Sequence, residues 1–309
     1  MVCCIGYMAY DLYDEHKAIQ LTESLNALHD TSKDIGPYNP DEKLIEDEWM
    51  YAVSDEKSQN EPISDETQKP FVEMPVVTTF NAKSESDIAQ TKEQLEILPS
   101  MQPFYDENTD TVGWLTINNT RIDNIVVQTD NNDFYLDHNF RKERSQPGTL
   151  FVDFRCVIND YEENQSHNVI IYGHKQKSGS MFGTLHNYHN NFRFYKENPT
   201  FTFSTLYKTY TYKIIAMFSC SATGKNVFDY HNYIDLPDDG DYSFNRWIKN
   251  VKALSEIAAP VSANPDDYYI TLSTCAYDHP DGRFVVIARR VRENESANVD
   301  VNNAIKLTH

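Results

Sequence analysis

From about Asp110 onward the chain is a succession of short runs of β-branched and aromatic residues, each closed by Asn, Asp, Gly or Pro. That alternation restricts the fold more than any other feature, because runs of this length and composition suit strands and are too short for helices. The runs are WLTI, IVVQ, TLFVD, NVIIYG, FTFST, TYTYKIIAMFS, YYITLSTC and RFVVIARRV. Seven or eight such strands predict a mostly β chain folded as a closed or nearly closed barrel. One interruption stands out. The stretch SFNRWIKNVKALSEI places Phe244, Trp247, Ile248, Val251, Leu254 and Ile257 on one helical stripe, with Asp241 or Ser243 as N-cap. An amphipathic helix is therefore predicted between the late strands.

The first third of the chain reads differently. The opening, MVCCIGYMAYDLYDEHK, is mostly apolar for about ten residues and then turns abruptly to charge. Leu12, Ile19, Leu21, Leu25 and Leu28 then recur among polar residues, which predicts a solvent-exposed helix. No run of about 20 apolar residues occurs, so a full membrane span is not written in the chain. Between Ser32 and Glu107 there are 18 acidic residues against 6 basic ones, a composition that suits a mobile spacer. Within it, SESDIAQTKEQLEIL opens with a capping pattern and predicts one short helix docked on the barrel. The expected division is thus an N-terminal helix over 1–31, a spacer over 32–109, a barrel over 110–291 and a polar tail over 292–309. The formal charge of −20 argues against a nucleic-acid partner, whose phosphates would repel it.

Five cysteines, scattered and without zinc-type pairing, make neither a disulfide framework nor a metal site. Cys156 and Cys220 lie inside apolar runs and read as packing residues. Cys275 ends a strand at a rim, and Arg283 opens the next strand across a turn. The pair admits two readings: strand packing with a surface arginine, or a thiolate favoured by a cation that also steadies an oxyanion. His174 leaves another apolar strand and is a candidate acid/base among ten histidines. His186 and His189 form an H-x-x-H pair with no accompanying HExxH or cysteine, and Pro237 occupies a ligand position in the acidic stretch DLPDDGDYSF. No metal and no cofactor is called for.

YGH at His174, TLSTC at Cys275 and GRFVV from Gly282, in that order, resemble the sortase family, the cysteine transpeptidases of the Gram-positive cell surface. IYGHKQKSGSMFGTLHNY and the helix around Trp247 are similar to class B members, and the resemblance covers about Asp110 to Val291. It implies an eight-stranded sortase-like barrel with N-terminal helices, a membrane anchor of which this opening is the incomplete end, and an active site outside the plasma membrane. It implies Cys275 as nucleophile, His174 as acid/base and Arg283 as substrate and oxyanion holder, with Tyr172, Ser273 and Thr274 lining the pocket. The implied partners are sorting-signal peptides of the NPxTG or xPxTG kind, cut between Thr and Gly, and a peptidoglycan amine. A lysine of a pilin subunit is the acceptor in pilus-building relatives. A non-catalytic barrel that merely binds a peptide would instead leave Cys275 unreactive.

Overall fold

The structure, a computed structural model, describes residues 2–33, 95–158, 165–221, 228–276 and 282–308, with backbone alone for 2–11, 275 and 276. The acidic segment from 34 to 94, with most of the helix expected from Ser84, lies outside the described residues. The end of that stretch is described and is not helical: Leu98 donates its N–H to the Leu206 carbonyl at 2.7 Å, and Ile97 and Leu98 pack on the barrel.

Eight strands close the barrel: β1 (Thr111–Thr116), β2 (Asp123–Val127), β3 (Leu150–Val152), β4 (Asn168–Gly173), β5 (Thr200–Thr205), β6 (Thr209–Ser221), β8 (Tyr269–Ala276) and β9 (Gly282–Arg290). Around the barrel the order is β1-β2-β3-β4-β8-β9-β6-β5. Two pairings, β2 with β3 and β4 with β8, are parallel, and the others are antiparallel. A short β7 (Ile257–Ala258) pairs outside the barrel with β10 (Ile305–Lys306).

The near-continuous apolar character of β4, β8 and β9 follows from burial on both faces. Ile171, Leu272, Phe284 and Val286 point into the barrel. Val285, Ile287, Tyr269 and Phe218 point outward and are covered by the chain between β6 and β8. That cover includes the expected amphipathic helix over Phe244–Leu254, which buries Phe244, Trp247 and Val251, with Trp247 4.7 Å from Tyr269. Ser243 holds the N-cap position without a side-chain cap bond. The helix stops three residues earlier than its apolar stripe suggests. Ser255 Oγ donates to the Ile257 carbonyl, the Glu256 N–H reaches the Met217 carbonyl, and Ile257 packs in the large core cluster from β7.

At the N-terminus, α1 (Val2–Lys33) is not the solvent-exposed helix its leucines suggest. Its buried residues are Asp14, Ala18, Leu25, His29 and Ser32, while Leu12 is 64% exposed. His29 stacks on Trp114 at 3.9 Å, and burial pulls its pKa down to about 4. Two polar side chains of this stripe find partners on the barrel side: the Asp14 carboxylate accepts from the Gln146 N–H at 2.6 Å and Ser32 Oγ donates to the Ser100 carbonyl. Among the described residues no helix is long and apolar enough to cross a membrane.

The C-terminal residues fold back on the barrel. Arg289, fully buried, gives two 2.7 Å bonds to the Glu295 carboxylate, which also accepts from Lys213 Nζ at 2.8 Å. These bonds and the buried guanidinium's charge hold Glu295 far below the usual carboxylate range.

Candidate active site

Strand register places the candidate residues at one rim. β8 and β9 pair so that Cys275 faces Arg283, and β9 and β6 pair so that Arg283 also faces Cys220. The three residues therefore hold facing register positions across three strands. β4 runs parallel to β8 with Tyr172 beside Ser273 and Gly173 beside Thr274. His174 is the first residue after β4, and Cys275 is the residue of β8 that follows the last paired position, Thr274.

Alternation then separates the pocket candidates. Tyr172, Ser273 and Arg283 share the outer face. Thr274 points the other way, into the barrel, where it is 1% exposed and its Oγ1 has no hydrogen-bond partner. Thr274 therefore faces away from Ser273 and Arg283.

The glycine of YGH has a steric cause. A Cβ on Gly173 would lie 2.3 Å from the Leu150 side chain and 2.7 Å from the Phe182 ring. With only hydrogen there, the loop after β4 folds back, and the Phe182 N–H reaches the His174 carbonyl at 2.9 Å. The imidazole itself is held by Nε2, 2.8 Å from the Leu136 carbonyl. A carbonyl only accepts, so Nε2 carries the proton and Nδ1 becomes the basic nitrogen of the ring. The loop is braced from outside too, since the Ser178 N–H donates to the Glu15 carboxylate of α1 at 3.2 Å.

Arg283 is half-buried and donates Nη1 to the Gly282 carbonyl at 3.0 Å. Its charge opposes the burial that pushes the Cys220 thiol up to about 11. Cys156, sealed against the Asn168 carbonyl, is pushed up to about 12 by burial and is a packing residue. The H-x-x-H histidines are structural as well. Both rings meet Phe284 edge-on, and His189 Nδ1 sits 2.7 Å from the Glu256 carboxylate.

Tyr172 and Ser273, both expected at the pocket, have partners in Asp153 and Tyr230 that the sequence did not single out. Tyr172 donates its phenol to Asp153 at 2.9 Å, and burial together with that carboxylate's charge raises the phenol well above its usual range. Ser273 Oγ is hydrogen-bonded to Tyr230 OH. His231 stacks between Tyr230 at 3.9 Å and Tyr172 at 6.0 Å. Its Nδ1 lies 3.2 Å from Asp229, and burial lowers its pKa. Both come from the connection after β6, a polar stretch whose nearness to β8 no local pattern announces.

A rim that lines up a strand-end cysteine, an arginine on the next strand and a histidine leaving the parallel neighbour defines a class: barrel-borne cysteine acyl transferases. The model of the sortase domain matches residues 115–291, and the chain belongs to the sortase family, cysteine transpeptidases. Within that family it resembles sortase B. The sortase B of Listeria monocytogenes is 33% identical over 207 residues, which are 66% of this chain and 79% of that protein. The Staphylococcus aureus sortase B is 29% identical over 204 residues, 65% of this chain and 79% of that protein. A crystal structure of the latter superposes with a TM-score of 0.56 at 27% identity, covering 67% of this chain and 93% of the other. A sortase B–substrate complex from the same organism gives 0.55 at 27% identity, over 67% and 91%.

Proposed function

We propose that this sortase B-like transpeptidase cuts a C-terminal sorting signal of the NPxTG or xPxTG kind between Thr and Gly. It then joins the carbonyl to a peptidoglycan amine at the outer face of a Gram-positive plasma membrane. The Cys275 thiolate attacks the Thr carbonyl, and the oxyanion that forms is held by Arg283, whose guanidinium stays charged throughout. Collapse breaks the C–N bond, and the departing glycine amine takes its proton from His174. The resulting thioester is resolved by an incoming amine, which forms the new C–N bond and gives its proton back to His174 while the C–S bond breaks. Tyr172 and Ser273 line the same face as substrate-contacting residues. Thr274, turned inward, would act only by shaping the strand behind the nucleophile.

The observation that carries this reading is the register: Cys275 opposite Arg283, with His174 leaving the strand paired to β8. The test is intact mass after incubating the full chain with a panel of xPxTG peptides, with and without candidate amines, alongside Cys275→Ala. A thioacyl adduct on the native chain and none on the variant is expected, and a peptidoglycan-type amine should clear it. Peptide cleavage retained by Cys275→Ala would overturn the assignment.

A further inference from the structure

The Asp153 carboxylate just after β3 has no solvent contact, and a buried charge persists only where hydrogen bonds and a counter-charge surround it. It accepts from Arg155 Nε at 2.9 Å and Nη2 at 2.8 Å, from the Arg155 N–H at 3.0 Å, from Tyr172 at 2.9 Å and from Asn132 at 3.1 Å. Burial opposes its ionisation, but the Arg155 bonds prevail and hold its carboxyl below the usual range. The guanidinium has donors beyond those the carboxylate takes up. Nη1 reaches Asn232 Oδ1 at 2.9 Å, and Nη2 reaches the His231 carbonyl at 2.8 Å.

Residues 231 and 232 belong to the segment that lies over the outer face of β8. The same turn, Tyr230–Asn232, bonds Ser273 through Tyr230 and packs the His231 ring on Tyr172. Ser273 lies two residues before Cys275 on β8. A single planar fork thus ties a buried carboxylate to the backbone of a segment more than seventy residues away that borders the nucleophile.

We propose that Asp153 and Arg155 are positioning residues for peptide binding, holding Tyr230–Asn232 in place so that the sorting signal meets a pre-formed wall beside Ser273 and Cys275. The peptide part of this proposal rests on the transpeptidase reading above. A wall that must be ordered by each incoming peptide lowers apparent affinity, whereas chemistry at the rim proceeds once the peptide is seated.

The experiment uses the full chain with the double variant D153N/R155Q, which strands no charge, and with Arg155→Lys, which keeps the charge and loses the fork. Amide hydrogen exchange over 229–234 should quicken tenfold or more in both. KM for a signal peptide should rise about tenfold with kcat within threefold, and alkylation of Cys275 by iodoacetamide, read by peptide mass, should stay within twofold. Exchange at the native rate would overturn the proposal, as would kcat and alkylation collapsing with KM unmoved. If the native chain forms no thioacyl adduct with any peptide, the transpeptidase reading fails, and the exchange rates alone decide whether the pair holds the connection. Should the double variant fail to fold, Arg155→Lys carries the same readouts.

Discussion

Replacing Glu295 by Gln tests how far the C-terminal residues are part of the barrel. Arg289 is 1% exposed and Lys213 7% exposed in their side chains, and Glu295 is the carboxylate both are paired with. Removing that carboxylate charge leaves two cations in low-dielectric surroundings, and breaking a buried pair from one side costs about 3–5 kcal/mol. The 27% exposure of Glu295 lets water soften the loss, so the lower end of that range, about 3 kcal/mol, is expected. In a domain of this size that corresponds to a fall in Tm of roughly 6–12 °C. Urea unfolding followed by tryptophan fluorescence reads it, since Trp114 and Trp247 are both buried. The pH dependence has a definite sign. The folded pKa of Glu295 is depressed, so its stabilisation is fully present above the ordinary carboxylate pKa of about 4.3 and fades as pH falls towards the folded value. The gap between native chain and variant should therefore be flat from about pH 7 to about pH 5 and narrow only below about pH 4. A gap under about 1 kcal/mol at neutral pH would refute the reasoning and make the cluster a surface ion pair in its energetics.

Gly173→Ala should lose at least tenfold in kcat/KM, because the added methyl meets Leu150 and Phe182 and shifts the loop that holds His174. Steady-state kinetics at the native rate would show that the loop absorbs it. His29→Phe should remove a specific acid sensitivity. The native His29 is down at about 4 while the unfolded residue titrates near 6.5, so acidification across that window protonates the unfolded state first and destabilises the fold. Unfolding curves at a series of pH values should show a shallower slope in the variant. Arg283→Lys should fall by two orders of magnitude or more in turnover, since an ammonium keeps the charge but not the fork. Peptide cleavage near the native rate would make the arginine structural.

What was legible in the sequence has a physical common denominator. Strands buried on both faces announce themselves as apolar runs, and residues that end such runs, His174, Cys275 and Arg283, can be read as rim residues before any contact is known. The docking of α1 could not be read in the same way, because its buried stripe runs through Asp14, His29 and Ser32, whose burial depends on partners distant in sequence. Ile257 looked like the last residue of a helical stripe because a buried strand residue can share that spacing by accident. Arg155 carries no local signal at all: its bonds to residues 231 and 232 exist only once the barrel has closed.

The parallel pairing of β4 with β8 has a consequence for the timing of folding. An antiparallel neighbour can form through a tight turn, but two strands running the same way and about a hundred residues apart can meet only after the intervening chain has wrapped around. The β4–β8 pairing is thus assembled by one of the longest loop closures in the domain. An emerging chain therefore holds β4 and β8 apart until the strands between them are in place, and the barrel closes as a late event.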